Sequence, residues 1–199
     1  MVKREMAARQ RILDAALKQF AHCGYAGASV QAIVDAAKVT KPTLYYYFAN
    51  KAALYQALVD SAHDERFRLM QSAAEKGATL EAKLVEILNS LFDFLKGHRE
   101  LIRLAFATAF ASPGELPDKM NYLKKPQRNF AFIHTLIKRE LANGGLNRRF
   151  KSKELAFGFH GMMNFYIMAH LVLPNCPLNR KMAEGIVELF LAGAKKKKQ

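Results

Sequence analysis

The sequence is short of several things, and each shortage narrows what it can be. It has two cysteines, Cys23 and Cys176, far apart and outside any CxxC or Cys/His cluster. That argues against a disulfide framework or a structural zinc site and fits a reducing compartment. His22 beside Cys23 is only a weak metal hint, because adjacent helical residues diverge; Cys23 is expected to pack as a small hydrophobe and no metal is expected. Acidic residues are scarce: 17 Asp and Glu face 31 Lys and Arg, a formal net charge of +14 over 199 residues. Such an excess attracts polyanions, nucleic acid first and acidic membrane surfaces second. No nucleophile elbow, paired-carboxylate arrangement, phosphate loop or zinc motif is present, so neither an enzyme nor a cofactor is expected.

Two further absences concern membranes. The stretch "MVKREMAARQRIL" is charged where a secretory leader would be apolar, which predicts a cytoplasmic protein. The longest uncharged run, Leu155 to Leu173, approaches the length of a membrane span. His160, Asn164, His170 and its glycines, with no second comparable segment, point instead to a helix buried on most sides, as in a subunit interface. No membrane partner is expected.

What is present is helix. Apolar residues recur at three-to-four spacing, strand-like alternation is nearly missing and no solenoid-like repeat is visible, so the fold class is all-α with about nine helices. Ile12, Ala16 and Phe20 mark one face of a first helix from Arg4 to Ala21, with Gly24 near its end. Ser29 is placed to cap a short second helix whose face is Val30, Ile33, Val34 and Ala37. Thr40 caps a third, with Pro42 early in it, where a missing N–H costs little. Longer helices are expected from Lys51 to about Lys76, over 79–98 with an uncertain cap at Thr79, from Arg99 to Ala111, from Leu123 to Asn143, over 154–173 and over 180–193. "SPGELPD" at 112–118 is a loop, and the terminal "KKKKQ" is a solvated tail.

Two short helices joined by a tight turn, behind a supporting helix, make a helix-turn-helix whose last helix enters a major groove. Its start, Thr40, Lys41, Pro42 and Thr43, offers hydroxyls, an ammonium and apolar groups to base edges. In "TKPTLYYYFANK" (40–51), Leu44 and Phe48 anchor the helix. Tyr45 and Tyr47 are expected to face outward to phosphates and Tyr46 to be half packed. Lys51 starts the next helix, where its ammonium and the helix N-terminus can hold a phosphate. Ser29 offers a similar contact, Gln31 can reach a base, and Lys3, Arg4 and Arg9 can form a flexible arm. Residues 1–51 carry eight Lys or Arg against three acids.

The stretch "ILDAALKQFAHCGYAGASVQAIVDAAKVTKPTLYYYFANKAALYQAL", above all "KPTLYYYFANKAAL", resembles the tetracycline-repressor (TetR) family of bacterial one-component transcription regulators. The resemblance puts DNA contacts on Ser29, Gln31, Thr40, Lys41, Pro42, Thr43, Tyr45, Tyr47 and Lys51. Lys38 stands where that family usually has glycine, which places a lysine in left-handed backbone at some cost, and Tyr47 stands where histidine is common.

The resemblance further implies a divergent all-helical remainder with a dimer interface on the last two long helices and a pocket for a small effector. It suggests a DNA-binding domain over 1–67 and an effector-binding and dimerisation domain over 68–199. The helices over 154–173 and 180–193 are apolar enough to pair with a symmetry mate. Candidate pocket residues are Phe92, Phe106, Phe110, Phe130, His134, Phe159, Met163 and Tyr166, although a Phe and Met stripe is more often plain core. His134, His160 and His170 read as satisfied buried histidines. Scarce acids there favour a neutral or anionic apolar effector. The expected function is a dimeric regulator, most simply a repressor, on a palindromic operator in double-stranded DNA. The alternative is a basic protein that coats nucleic acid or membranes without sequence choice.

Overall fold

The computed structural model describes residues 2–112, 114–117, 120–173 and 176–194, with side chains from Met6 onward. Among them there are nine helices and no strand: α1 (Val2–Gly27), α2 (Val30–Ala37), α3 (Lys41–Tyr47), α4 (Lys51–Ala74), α5 (Leu80–Gly97), α6 (Arg99–Ala109), α7 (Lys124–Ala142), α8 (Ser152–Val172) and α9 (Arg180–Ala194). The all-α expectation and each expected helix are met, with ends moved by a few residues. The lysine tail and the side chains of Lys3 and Arg4 lie outside the described residues; the backbone there is helical from Val2, where a flexible arm was expected.

The chain packs into two units. The first takes residues 1–63 and 98–123. Ile12, Ala16, Ile33, Leu44 and Leu54 are all fully buried in it, and Phe20, Phe48, Tyr55 and Leu58 close round them. α6 contributes Leu104 to this core. It also contributes the buried Thr108, whose hydroxyl donates to Leu104 O at 2.8 Å and pairs with the Tyr55 hydroxyl at 2.9 Å. That pair satisfies two polar groups that would otherwise be costly to bury. α1 breaks at Gly24, at φ 70° and ψ 179°. A β-carbon there would meet nothing, so the backbone angle, not space, selects glycine.

The second unit takes residues 64–97 and 124–199. α5 buries Leu84, Ile87, Leu88, Leu91, Phe92 and Leu95 and packs against α9, while α7 packs against α8. The cap at Thr79 is real: its hydroxyl accepts from Ala82 N at 3.2 Å. At Gly77 a β-carbon would overlap the backbone of Ala82 and Lys83, so only glycine lets the chain turn so tightly into α5. α8 is long and apolar enough to cross a membrane by length and composition, yet 33% of that stretch is buried within the structure. It is therefore less covered by its own chain than a helix buried on most sides. Phe157, Phe165, Met168 and Val172 of α8, with Leu189 of α9, are exposed.

Candidate nucleic-acid interface and effector site

The first unit builds the interface from three caps. Ser29 lies in extended backbone and its hydroxyl accepts from Gln31 N at 3.2 Å, which ties off the start of α2. The Gln31 amide donates to Asp35 Oδ1 at 2.8 Å, so this side chain must exchange that bond to reach a base. α2 ends at Lys38, at φ 53° and ψ 51°, the one non-glycine residue of positive φ among those described. The left-handed lysine expected at this turn is what the structure contains. Val39 N donates to Val34 O at 3.0 Å and Lys38 N to Asp35 O at 3.2 Å, the paired bonds of a Schellman turn. Arg11 Nε adds a bond to Ala37 O at 3.1 Å.

Thr40 then caps α3, its hydroxyl accepting from Thr43 N at 3.3 Å and pairing with the Thr43 hydroxyl at 2.9 Å. Lys41 and Pro42 are exposed at the helix start and Thr43 is half-buried. Leu44 is 0% exposed and Phe48 5%, so they fix the phase of α3. At about 100° per residue, Tyr46 lies roughly opposite their mean direction and Tyr45 and Tyr47 about 80° to either side. The structure agrees: Tyr46 is 75% exposed and Tyr45 48%, while Tyr47 is half-buried against the core with its ring edge-on to Tyr46. The expected exposures of Tyr46 and Tyr47 are therefore exchanged. The helical phase held the correct answer for Tyr46; which flanking tyrosine tucks in depends on neighbours that the wheel does not show.

Lys51 also departs from expectation. Its ammonium donates to the carbonyls of Tyr25 at 2.9 Å and Ala28 at 3.1 Å, with Ala26 at 3.4 Å, and lies 4.5 Å from the centre of the Tyr25 ring. The carbonyls exposed where α1 breaks at Gly24 collect the cation, which is turned inward as a clip and not outward to a phosphate. At the start of α4, Asn50 Oδ1 accepts from Ala53 N at 2.8 Å and so takes the capping role that the sequence reading had not given it. Arg9 sits 5.2 Å over the Phe48 ring.

The candidate effector residues do not form one group. Phe106 and Phe110 belong to the first unit, and Phe110 is 77% exposed. Phe92 and Phe159 are fully buried core, Phe159 packing on Phe190 at 5.3 Å. Tyr166 is half-buried. Phe130, His134 and Met163 are brought round a polar cluster that the sequence reading had not assembled. Phe130 stacks on His134 and meets the His160 ring edge-on at 5.4 Å, and His134 Nε2 pairs with Ser152 Oγ at 3.0 Å. Met163 contacts Arg66, whose Nη2 donates to Asn164 Oδ1 at 2.8 Å.

Burial pushes Arg66 down to about 10. Burial and then the Arg66 charge push His160 down to about 3, so that ring is neutral near neutral pH. His160 Nδ1 has no hydrogen-bond partner, against the expectation of a satisfied histidine. His170 meets that expectation, with Nδ1 bonded to the Cys176 carbonyl at 2.5 Å. Among the described residues no group of three or more His, Cys, Asp or Glu could hold a metal.

Residues 12–58 match the family described as bacterial regulatory proteins, tetR family. The chain is 29% identical over 110 residues to the uncharacterized HTH-type transcriptional regulator YdgC of Bacillus subtilis, covering 53% of this chain and 56% of that one. In the first relatives the matched stretches span 56%, 32% and 64% of the relatives' own lengths. The crystal structure of a TetR family transcription regulator from Marinobacter aquaeolei VT8 superposes with a TM-score of 0.76 at 18% identity, over 99% of this chain and 100% of that one. FadR from Bacillus subtilis, solved in complex with stearoyl-CoA, does so with a TM-score of 0.74 at 19% identity, over 92% and 98%.

Proposed function

We propose that the chain, whose residues 12–58 match the tetR family of bacterial regulatory proteins, is a cytoplasmic, dimeric, sequence-specific transcription regulator of that family and not an enzyme. It represses by holding a palindromic operator and lets go when a small apolar effector fills its second unit. The observation that carries the reading is the start of α3: Lys41, Pro42, Tyr45 and Tyr46 stand exposed on a helix whose entry and exit are fixed by the Lys38 turn and the Leu44 and Phe48 anchors. Such a rigid, basic, hydroxyl-rich tip suits a major groove. Ser29, Gln31, Thr40, Thr43 and Tyr47 complete the reading surface, and Lys51 joins it through the amide end of α4, its ammonium being occupied.

Dimerisation supplies the second reading head that a two-fold operator needs. Its surface is the exposed apolar face of α8 and α9, where Phe157, Phe165, Met168, Val172 and Leu189 would otherwise meet water. Release by an effector is a population shift towards a form whose two α3 helices no longer match successive major grooves. That FadR holds an acyl-CoA supports an apolar effector for this chain.

The test is selection of genomic fragments by the purified protein at near-physiological salt, with sedimentation in parallel. Enrichment of one palindrome is expected, lost in Lys41→Ala with Tyr45→Ala while the dimer persists. Retention of all DNA alike, with one steep salt slope, would leave a basic protein without sequence choice. A monomer that binds one half-site would remove the dimer.

A further inference from the structure

The second unit contains a cation without an anion. Arg66 on α4 makes both of its contacts, to Asn164 Oδ1 and Met163 Sδ, through Nη2, while its Nε is sealed from solvent and has no hydrogen-bond partner. No carboxylate pairs with it among the described residues, and desolvation is what perturbs it. The acids beside it in sequence are engaged elsewhere: Asp64 pairs with Lys125 and, at 3.0 Å, with Arg128, and Glu65 pairs with Arg68 at 2.5 Å. His160, four residues before Asn164 on α8, has a second sealed and unpartnered nitrogen, Nδ1.

Buried charges are normally paired, and a buried donor without an acceptor is destabilising. A core that needed only volume at position 66 would be served by leucine or methionine. The Arg66 Nε–H needs an acceptor, and so does His160 Nδ1 in the tautomer that carries the proton there. The surroundings specify the rest. One full positive charge beside a neutral imidazole balances a monoanion and not a phosphate dianion. The neighbouring side chains are apolar: Met163 touches the guanidinium, and Phe130 lies against both His160 and Phe157.

We propose that Arg66 anchors the anionic group of the effector, a carboxylate carried on an apolar aliphatic or aromatic body, with His160 Nδ1 and the Asn164 amide as the neighbouring donors. This rests on reading the second unit as the effector-binding unit. It narrows that reading from apolar molecules at large to apolar acids.

The experiment compares decanoate with 1-decanol and 2-naphthoate with 2-naphthalenemethanol by calorimetry and thermal shift on the full-length protein. Wild type is expected to favour each acid over its alcohol by about tenfold or more. Arg66→Met removes that preference, and Arg66→Lys, which keeps the charge without the planar fork, retains part of it. Ligand-free Arg66→Met melts at or above wild type, because a buried unpaired charge has gone. Wild type that binds neither acid or takes acids and alcohols alike, a preference that survives Arg66→Met, or a ligand-free Arg66→Met that melts well below wild type, each overturns the proposal, the last by making the arginine a structural strut. The same wild-type preparation is tested for operator retention. DNA retention without acid preference fails this inference alone. Acid binding without DNA retention fails the regulator reading and leaves this one standing.

Discussion

Lys51 is where the phosphate-anchor and structural-clip roles make opposite predictions. Its ammonium is shared by the carbonyls of Tyr25, Ala26 and Ala28 and lies over the Tyr25 ring. A hydrogen bond to a charged group contributes about 1.5–3 kcal/mol, and a cation over a partly exposed ring adds about 0.5–1 kcal/mol. Lys51 is partly exposed and one charge serves all three acceptors, so the sum is discounted to about 2–3 kcal/mol for the whole clip. Lys51→Met keeps the alkyl stem and removes these contacts. For a chain of this size each 1 kcal/mol is about 2–4 °C, so the variant is expected to melt roughly 5–10 °C below wild type in calorimetry. Each phosphate neutralised adds about 0.9 to the slope of log affinity against log salt. A clip leaves that slope unchanged in Lys51→Met even where affinity falls, whereas a phosphate anchor lowers it by about 0.9 per protomer. An unchanged melting temperature together with the lowered slope would refute the clip.

Three further substitutions test neighbouring points. Lys38→Gly relieves the left-handed backbone at some entropic cost in the unfolded chain, so a net gain of about 1 kcal/mol is expected, and a lower midpoint in urea would show that the lysine side chain holds the turn. Tyr46→Ala should change stability by no more than about 0.5 kcal/mol while weakening operator retention, and Tyr47→Ala should destabilise by about 1–2 kcal/mol; equal losses would contradict their unequal burial. His160 has its folded pKa lowered to about 3 from 6.5, so the unfolded chain binds its proton first. Its stabilising effect is therefore full above the unfolded value and is lost as pH falls from about 6.5 towards 3. Between pH 6.5 and 5 wild type should lose about 1.6 kcal/mol more than His160→Gln in urea unfolding, and parallel pH profiles would show that the ring is not sealed.

Local rules made the DNA-binding end legible. Ser29 and Thr40 cap the helices they were expected to cap, and Lys38 adopts the left-handed turn, because each depends on residues within about five positions. Lys51 was misread for the converse reason: its acceptors are 23 to 26 residues away, among the carbonyls at the end of α1 and just past it. The effector candidates are scattered in the fold for the same reason. Aromatic residues at helical spacing report that a helix has a buried face, not which faces meet, so Phe92 and Phe110 looked alike in sequence and are 1% and 77% exposed in the fold. Arg66 carries no sequence signal at all. An arginine in a long helix is ordinary, and its lack of a counter-charge becomes visible only when the fold brings it to Met163 and Asn164 of α8.

The size of the Arg66 contribution bears on how release can work. α4 starts at Lys51 in the first unit and carries Arg66 in the second, so one helix bears both the amides proposed to meet DNA and the proposed effector anchor. A ligand moves an equilibrium only by its difference in affinity for the two forms, and turning a 99:1 holder into a 1:99 releaser takes about 5.5 kcal/mol. One charge-assisted anchor is worth about 1.5–3 kcal/mol, too little alone. The two anchors of the proposed symmetric dimer reach about 3–6 kcal/mol together, which meets the requirement only at the top of that range and with nearly all of it realised in the released form alone. Release should then need both sites. Mixed dimers with one wild-type and one Arg66→Met chain, isolated by differential tagging, are expected to stay largely on the operator at acid concentrations that strip the wild-type dimer. Full release of the mixed dimer would mean that a single site already supplies the whole difference, and that contacts of the apolar body, rather than the Arg66 charge, drive the change.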